Sequence, residues 1–331
     1  MRRVFVFLML LVLGLGGAWA QELTTGAIEG TVVDETGKPI AEALVTVFGP
    51  QGMNTTSTDG QGRYSFRGLI PGEYKVRAEA PGYAAMIQNE VQISINRRTQ
   101  LPFTLNAGMT EEVTVISQAP IVDMKSTTTG STINIDDFAP YVPMGRNLTS
   151  IMAVTPGVTD GGTIGAQNQS ISGSSGLENA YFVDGVNVTN SGFGALGSYS
   201  IVYGSLGSGV TYDFLEEVQV QTGGFEAEWG QAGGGVVNTV VKSGTNTFGM
   251  DAAWYEDPTS LEGGRGDRVD NPNMSNQVES SRTDIALSAG GPAVKDKLFY
   301  FAAYNPVVVK QDFKLTSGDG DTPYDLDGDG T

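Results

Sequence analysis

The sequence contains no cysteine and no histidine among its 331 residues. The first absence excludes disulfides, thiolate metal ligands and cysteine nucleophiles; the second excludes imidazole ligation and any Ser-His-Asp relay. Basic residues are scarce too, with 19 Lys and Arg against 37 Asp and Glu, a net charge of -18. Such a polyanion repels phosphate backbones, so nucleic acid is not an expected partner. Only 17% of the chain is charged while Gly reaches 46 copies, a composition of turns and short strands rather than long helices. At 40% hydrophobic residues the chain is apolar enough to fold, and its length makes room for two or three cores.

Long apolar runs are nearly absent. The exception, Val4 to Leu15, follows Arg2 and Arg3 and is shorter than the ~20 residues of a spanning helix. Ala18-Trp19-Ala20 then supplies a small-x-small cleavage pattern, so residues 1–20 read as a signal peptide and Gln21 as the first mature residue. No later segment resembles a spanning helix, so any membrane contact must be made by strands.

Residues 21–107 have the period of two that half-buried strands require. Tyr74, Val76, Ala78 and Ala80 alternate with Glu73, Lys75, Arg77 and Glu79, and Pro71-Gly72 and Pro81-Gly82 bound the run. Ile28 with Val32, Val45 with Val47, Val91 with Ile93 and Ile95, and Leu101 with Phe103 and Leu105 repeat the pattern. Thr36 to Pro39 and Asp59 to Gly62 read as turns. Several strings resemble the carboxypeptidase regulatory-like domain: Gly30-Thr31-Val32-Val33-Asp34 with Gly37-Lys38-Pro39-Ile40, Thr58-Asp59-Gly60-Gln61-Gly62-Arg63-Tyr64, and Leu69-Ile70-Pro71-Gly72-Glu73-Tyr74. That resemblance implies a non-catalytic, transthyretin-like or Ig-like β-sandwich.

Residues 119–246 are glycine-rich yet carry strand signals. Ala180 to Val188 has Asp184-Gly185 between apolar runs, a hairpin signal. Glu217 to Gln221 and Val236 to Val241 read as strands, and Arg146 to Ala153 as a short helix with Leu148, Ile151 and Met152 on one face. The runs Tyr181-Phe182-Val183-Asp184-Gly185-Val186, Glu217 to Gly230 with Gly223, Gly224, Phe225 and Gly230, and Gly233-Gly234-Gly235-Val236 to Asn246 resemble the plug domain of TonB-dependent outer-membrane receptors of the Oar-like type. That resemblance implies an α+β plug, a periplasmic energy-coupling partner of TonB type, an unidentified transported ligand and a Gram-negative outer-membrane location. Gly192 to Gly197 fits a dinucleotide-loop string without the strand and helix such a loop needs, and reads as a glycine-rich loop.

Between the two domains, residues 108–118 form a linker. Its Glu111-Glu112-Val113-Thr114-Val115 stands where an Oar-like receptor has its TonB box, a segment that can grip a partner by strand addition. The same residues read equally as a last strand of the sandwich or a first strand of the plug. After the plug, residues 247–331 resemble the start of a transmembrane barrel, with strands at Phe248 to Tyr255, Thr283 to Ala289 and Leu298 to Tyr304, a short turn at Gly290 to Lys297 and a polar loop at Asp257 to Arg282. A plugged transporter needs about 22 strands to close in lipid, so the expectation is an N-terminal part of a longer protein. Asp325, Asp327 and Asp329 before Gly330 match part of a calcium loop without its bidentate Glu; an acidic solvated loop is the other reading, and no other cofactor is expected. The fold class expected is therefore mainly β, and no enzyme activity is indicated. The rival from another class is a secreted or surface β-sandwich module for adhesion or carbohydrate binding.

Overall fold

A computed structural model describes residues 24–108, 113–115, 127–138, 141, 148–159, 169–190, 198–200, 204–207, 211–225, 229–230, 232–257 and 277–314. Described residues up to Thr247, together with Gly291–Tyr300, form one compact unit; Phe248–Gly290 and the described residues from Phe301 onward form a second.

The first unit opens with nine strands: β1 (Gly26–Asp34), β2 (Leu44–Gly49), β3 (Gly52–Ser57), β4 (Arg63–Leu69), β5 (Gly72–Glu79), β6 (Met86–Ile93), β7 (Arg98–Gln100), β8 (Phe103–Leu105) and β9 (Val113–Val115). One sheet runs β4-β1-β7 with β8 also on β1, the other β3-β2-β5-β6-β9. Inward residues of both sheets, among them Ile28, Val32, Val45, Val47, Tyr74, Val76, Phe103 and Leu105, make one core. Each such side chain stabilises the sandwich by roughly 1.5–3 kcal/mol when fully buried. The alternation in β5 is thus the alternation of core and water. Two Asp residues tie the predicted turns: the Asp34 carboxylate accepts from the Thr36 and Lys38 amides at 2.8 and 2.9 Å. The Asp59 carboxylate does the same for Gln61 and Arg63, both at 2.8 Å.

The rest of this unit holds β10 (Thr129–Asn134), α1 (Ile135–Phe138), α2 (Leu148–Met152), the hairpins β11 (Val158–Thr159) with β12 (Ser170–Ile171), β13 (Ala180–Val183) with β14 (Val186–Asn187) and β15 (Ser198–Ser200) with β16 (Gly204–Gly207), and the long strands β17 (Leu215–Gly223) and β18 (Val236–Val241). Five strands form a sheet in the order β10-β17-β18-β13-β14. The β13 and β18 strands are parallel and their neighbours antiparallel. Leu148, Ile151 and Met152 of α2 pack on Ile133, Tyr181, Val218, Val220 and Val237, so the apolar face read in the sequence is the one buried. Asp184 and Gly185 have φ of 48° and 75°, the pair of positive values that a two-residue hairpin turn of the primed type requires.

Four further strands, β19 (Gly249–Asp257), β20 (Gln277–Val294), β21 (Leu298–Tyr304) and β22 (Val307–Lys314), form an antiparallel sheet. The β20 strand is longer than the sequence suggests. It begins inside the stretch expected to be a polar loop and carries on to Val294, leaving Lys295-Asp296-Lys297 as the turn. The ladder explains this: β20 pairs with β19 from Gly290 to Arg282 and with β22 from Asp284 back to Gln277. Backbone partners rather than apolar alternation extend it.

Candidate functional site

The glycines of the motif make separate contacts along the sheet. At one end of β17, Gly224 has φ +65°, and a β-carbon there would lie 2.2 Å from the Thr127 carbonyl. Neighbouring Gly223 leaves room for the Thr129 hydroxyl, which donates to its carbonyl at 3.3 Å. Before β18, Gly233 and Gly234 both donate their amides to the Glu178 carbonyl at 2.9 Å. A β-carbon on Gly234 would come within 2.3 Å of the Ser174 hydroxyl, and one on Gly235 within 2.5 Å of the Ile171 side chain. Gly230 has open space around it. Asp184 lies at the hairpin end, where its carboxylate accepts from the Val241 amide at 3.0 Å. Burial pushes the Asp184 carboxyl above the usual range, against the lowering effect of that bond. These residues shape the sheet; they do not converge on one ligand pocket.

Asn179, not singled out by sequence, is the polar centre of this region. Its Nδ2 donates to the Gln169 carbonyl at 2.7 Å and to the Tyr181 hydroxyl at 3.1 Å, and its Oδ1 accepts from the Gly235 amide at 3.0 Å. At 2% exposure it is satisfied wholly by protein groups. A small cluster beside it holds Ala180, Val236 and Trp229 with Phe182 and Phe225 packed around them. The Phe182 and Trp229 rings meet edge to face, 4.9 Å apart at 72°. Asn179 sits in a run of polar and small residues with no periodic signal, which is why only the fold reveals it.

The candidate coupling segment is placed in part. Glu111 and Glu112 lie outside the described residues. Val113, Thr114 and Val115 form β9, parallel to β6, with Val113 opposite Met86, Thr114 opposite Ile87 and Val115 opposite Gln88. Of the two strand readings open in the sequence, last of the sandwich or first of the plug, these residues occupy the one on the sandwich, paired through the main chain.

Two acidic side chains of β17 are perturbed. Glu216 is held above the usual carboxylate range by burial and by nearby Asp136, while Lys242 opposes the shift; Lys242 itself pairs with Asp136 at 2.7 Å. Glu217 is pushed up to about 7, first by burial. A cleft of about 490 Å³ opens here, lined by Pro50, Ile70, Glu73, Asp184, Glu216 and Lys242 among others.

In the second unit, one sheet face carries Met250, Trp254, Ile285 and Leu287 exposed, with Trp254 opposite Ile285 and Trp254 71% exposed. The other face buries Asp284, Ala286 and Ser288, and the Asp284 carboxylate is bound by Arg282 and Asn305. Apolar outside and polar inside is the reverse of a water-soluble sheet. Among the described residues no helix is long and apolar enough to cross a membrane, which bears only on helices. No group of three acidic side chains among the described residues could hold a metal ion, and Asp325, Asp327 and Asp329 lie outside them.

With this architecture the chain shows a recognisable kinship. Residues 27–106 match the family model of the carboxypeptidase regulatory-like domain. Over 312 residues the chain is 32% identical to the TonB-dependent transporter Oar of Myxococcus xanthus, an alignment covering 87% of this chain and 27% of that protein. The chain therefore spans about a quarter of that relative's length. Among solved structures it is similar to the siderophore receptor PirA of Acinetobacter baumannii, at 22% identity over 54% of this chain and 24% of that one, with a TM-score of 0.39. It is also similar to the minor pilin GBS52 of Streptococcus agalactiae, at 19% identity over 28% of this chain and 48% of that one, with a TM-score of 0.23. The regulatory-like domain at the start of the chain and the alignment that runs on through the glycine-rich region make the chain a homologue of TonB-dependent receptors. Within that class the relative it matches is an Oar-type transporter.

Proposed function

We propose that the protein serves energy-coupled uptake of a ligand through the outer membrane of a Gram-negative bacterium. The observation that carries this reading is the 312-residue alignment to the Oar transporter, which runs through the sandwich, the glycine-rich sheet and beyond. Residues 1–20 export the chain, residues 119–246 act as the plug, and residues from 247 begin the barrel. The exposed apolar face around Trp254 supports a lipid-facing role for that sheet. Glu111 to Val115 act as the box that a TonB-type periplasmic protein grips. That β9 pairs with β6 through its main chain supports this role, since strand addition to a partner uses the same groups.

Fractionation tests the reading. Cells expressing the chain with whatever coding sequence follows it are separated into periplasm and outer membrane. Recovery with the outer membrane is expected; a wholly soluble periplasmic or secreted product would favour the adhesion module instead.

A further inference from the structure

Glu217 belongs to β17, yet its carboxylate serves the sandwich. Oε2 accepts from the amide of Ile95, in the turn after β6, at 2.7 Å across 122 residues of sequence. The Ser94 hydroxyl also hydrogen-bonds to this carboxyl, and Arg97 of the same turn is the nearby cation. Glu217 is 3% exposed and Ile95 fully buried, so water is excluded from both. Two surface bonds accompany this contact: Asn246 N to the Pro50 carbonyl at 2.9 Å and Gln51 Nε2 to the Gly244 carbonyl at 3.1 Å. Of the three, only the Glu217 contact is buried and ionisable.

We propose that Glu217 is a protonation-controlled latch between the sandwich and the five-stranded sheet, closed when its carboxyl is neutral and loosened when it ionises. A buried carboxylate gives up hydration that one amide, one hydroxyl and one partly exposed Arg replace only in part. Glu216, next along β17, adds like-charge repulsion and is itself flanked by Asp136, Asp137 and Lys242. The balance favours the neutral form, and the carboxyl titrates at about 7 instead of the ordinary 4.5. The sign follows. A group whose folded value is raised adds stability that is fully present below the unfolded value and is lost as pH rises through the folded one. The junction is therefore tight at pH 5 and weaker at pH 8, while each core keeps its own apolar packing.

The inference does not depend on transport and is tested on the mature chain by hydrogen exchange at the Ile95 amide, corrected for the intrinsic rate at each pH. Protection is expected to fall on the order of tenfold between pH 5.5 and 8. In Glu217→Gln, which keeps an oxygen acceptor and cannot ionise, protection becomes independent of pH. In Arg97→Met, where an opposing cation is removed, the midpoint of the loss moves to higher pH. Flat protection in the parent chain, or an unchanged pH response in Glu217→Gln, overturns the proposal. If Glu217→Gln fails to fold, the Arg97→Met midpoint decides: a shift upward supports the latch and no shift removes it.

Discussion

Val113 stands opposite Met86 in a parallel ladder, making β9 the outermost strand of the sandwich sheet. A three-residue edge strand contributes few ladder bonds. Thr114→Pro puts a residue without an amide donor at the centre of β9 and should strip exchange protection from Val113 and Val115 while lowering the sandwich's unfolding free energy by less than about 1 kcal/mol. Amide exchange and a urea titration check both halves. A large loss of stability would make β9 a structural strand and leave little room for a displaceable one.

The glycines are not equivalent. Gly224→Ala forces a side chain into the left-handed region and against the Thr127 carbonyl, and should cost roughly 2–4 kcal/mol. Gly235→Ala, pressed on Ile171 and the Gln221 carbonyl, should cost a similar amount. Gly230→Ala, with open space around it, should stay within about 0.5 kcal/mol of the parent. Chemical denaturation of the three variants separates motif glycines that packing requires from one that it does not.

Asn179→Ala leaves the Gly235 amide and the Gln169 carbonyl without their buried partner. The expected loss is about 2–3 kcal/mol. Asn179→Asp keeps the acceptor and loses the donor, so it should not rescue. Equal stability of either variant with the parent would show that another group satisfies these atoms.

Much of the fold was legible because short strands announce themselves. The unbroken alternation from Glu73 to Ala80 became β5, and Asp184-Gly185 became the turn its chemistry demands. Where the periodic argument fell short, long-range pairing was the reason. Val218 and Val220 alternate with Gln219 and Gln221 as a half-solvated strand would, yet all four are buried; on the second covered face Gln221 Nε2 donates to Gln219 Oε1 at 2.8 Å, while Gln221 Oε1 has no hydrogen-bond partner among the described residues. The parallel pairing of β13 with β18, the full length of β20 and the Glu217 contact with Ile95 join residues far apart in sequence, and no local pattern encodes them. The coupling segment is the opposite case. Its sequence was open to a coupling box, a last strand of the sandwich or a first strand of the plug, and Val113 to Val115 pair as a strand of the sandwich sheet.

Trp254 offers a test of the sheet in the second unit. If its apolar face meets lipid, Trp254→Arg should reduce the assembled protein in the outer membrane by an amount consistent with roughly 2–4 kcal/mol. Trp254→Leu should be tolerated. Quantifying the membrane-inserted fraction of each variant checks this, and equal insertion of the Arg variant would place that face in water.

The central claim is that residues 111–115 engage an energy-coupling partner. Photo-crosslinking residues placed one at a time at these five positions, in energised cells producing the full-length protein, test it most directly. The account predicts covalent capture of a TonB-type periplasmic protein from Val113 to Val115, lost when Thr114→Pro is added to a neighbouring probe. Capture from none of the five positions, in protein that has reached the outer membrane, would contradict it.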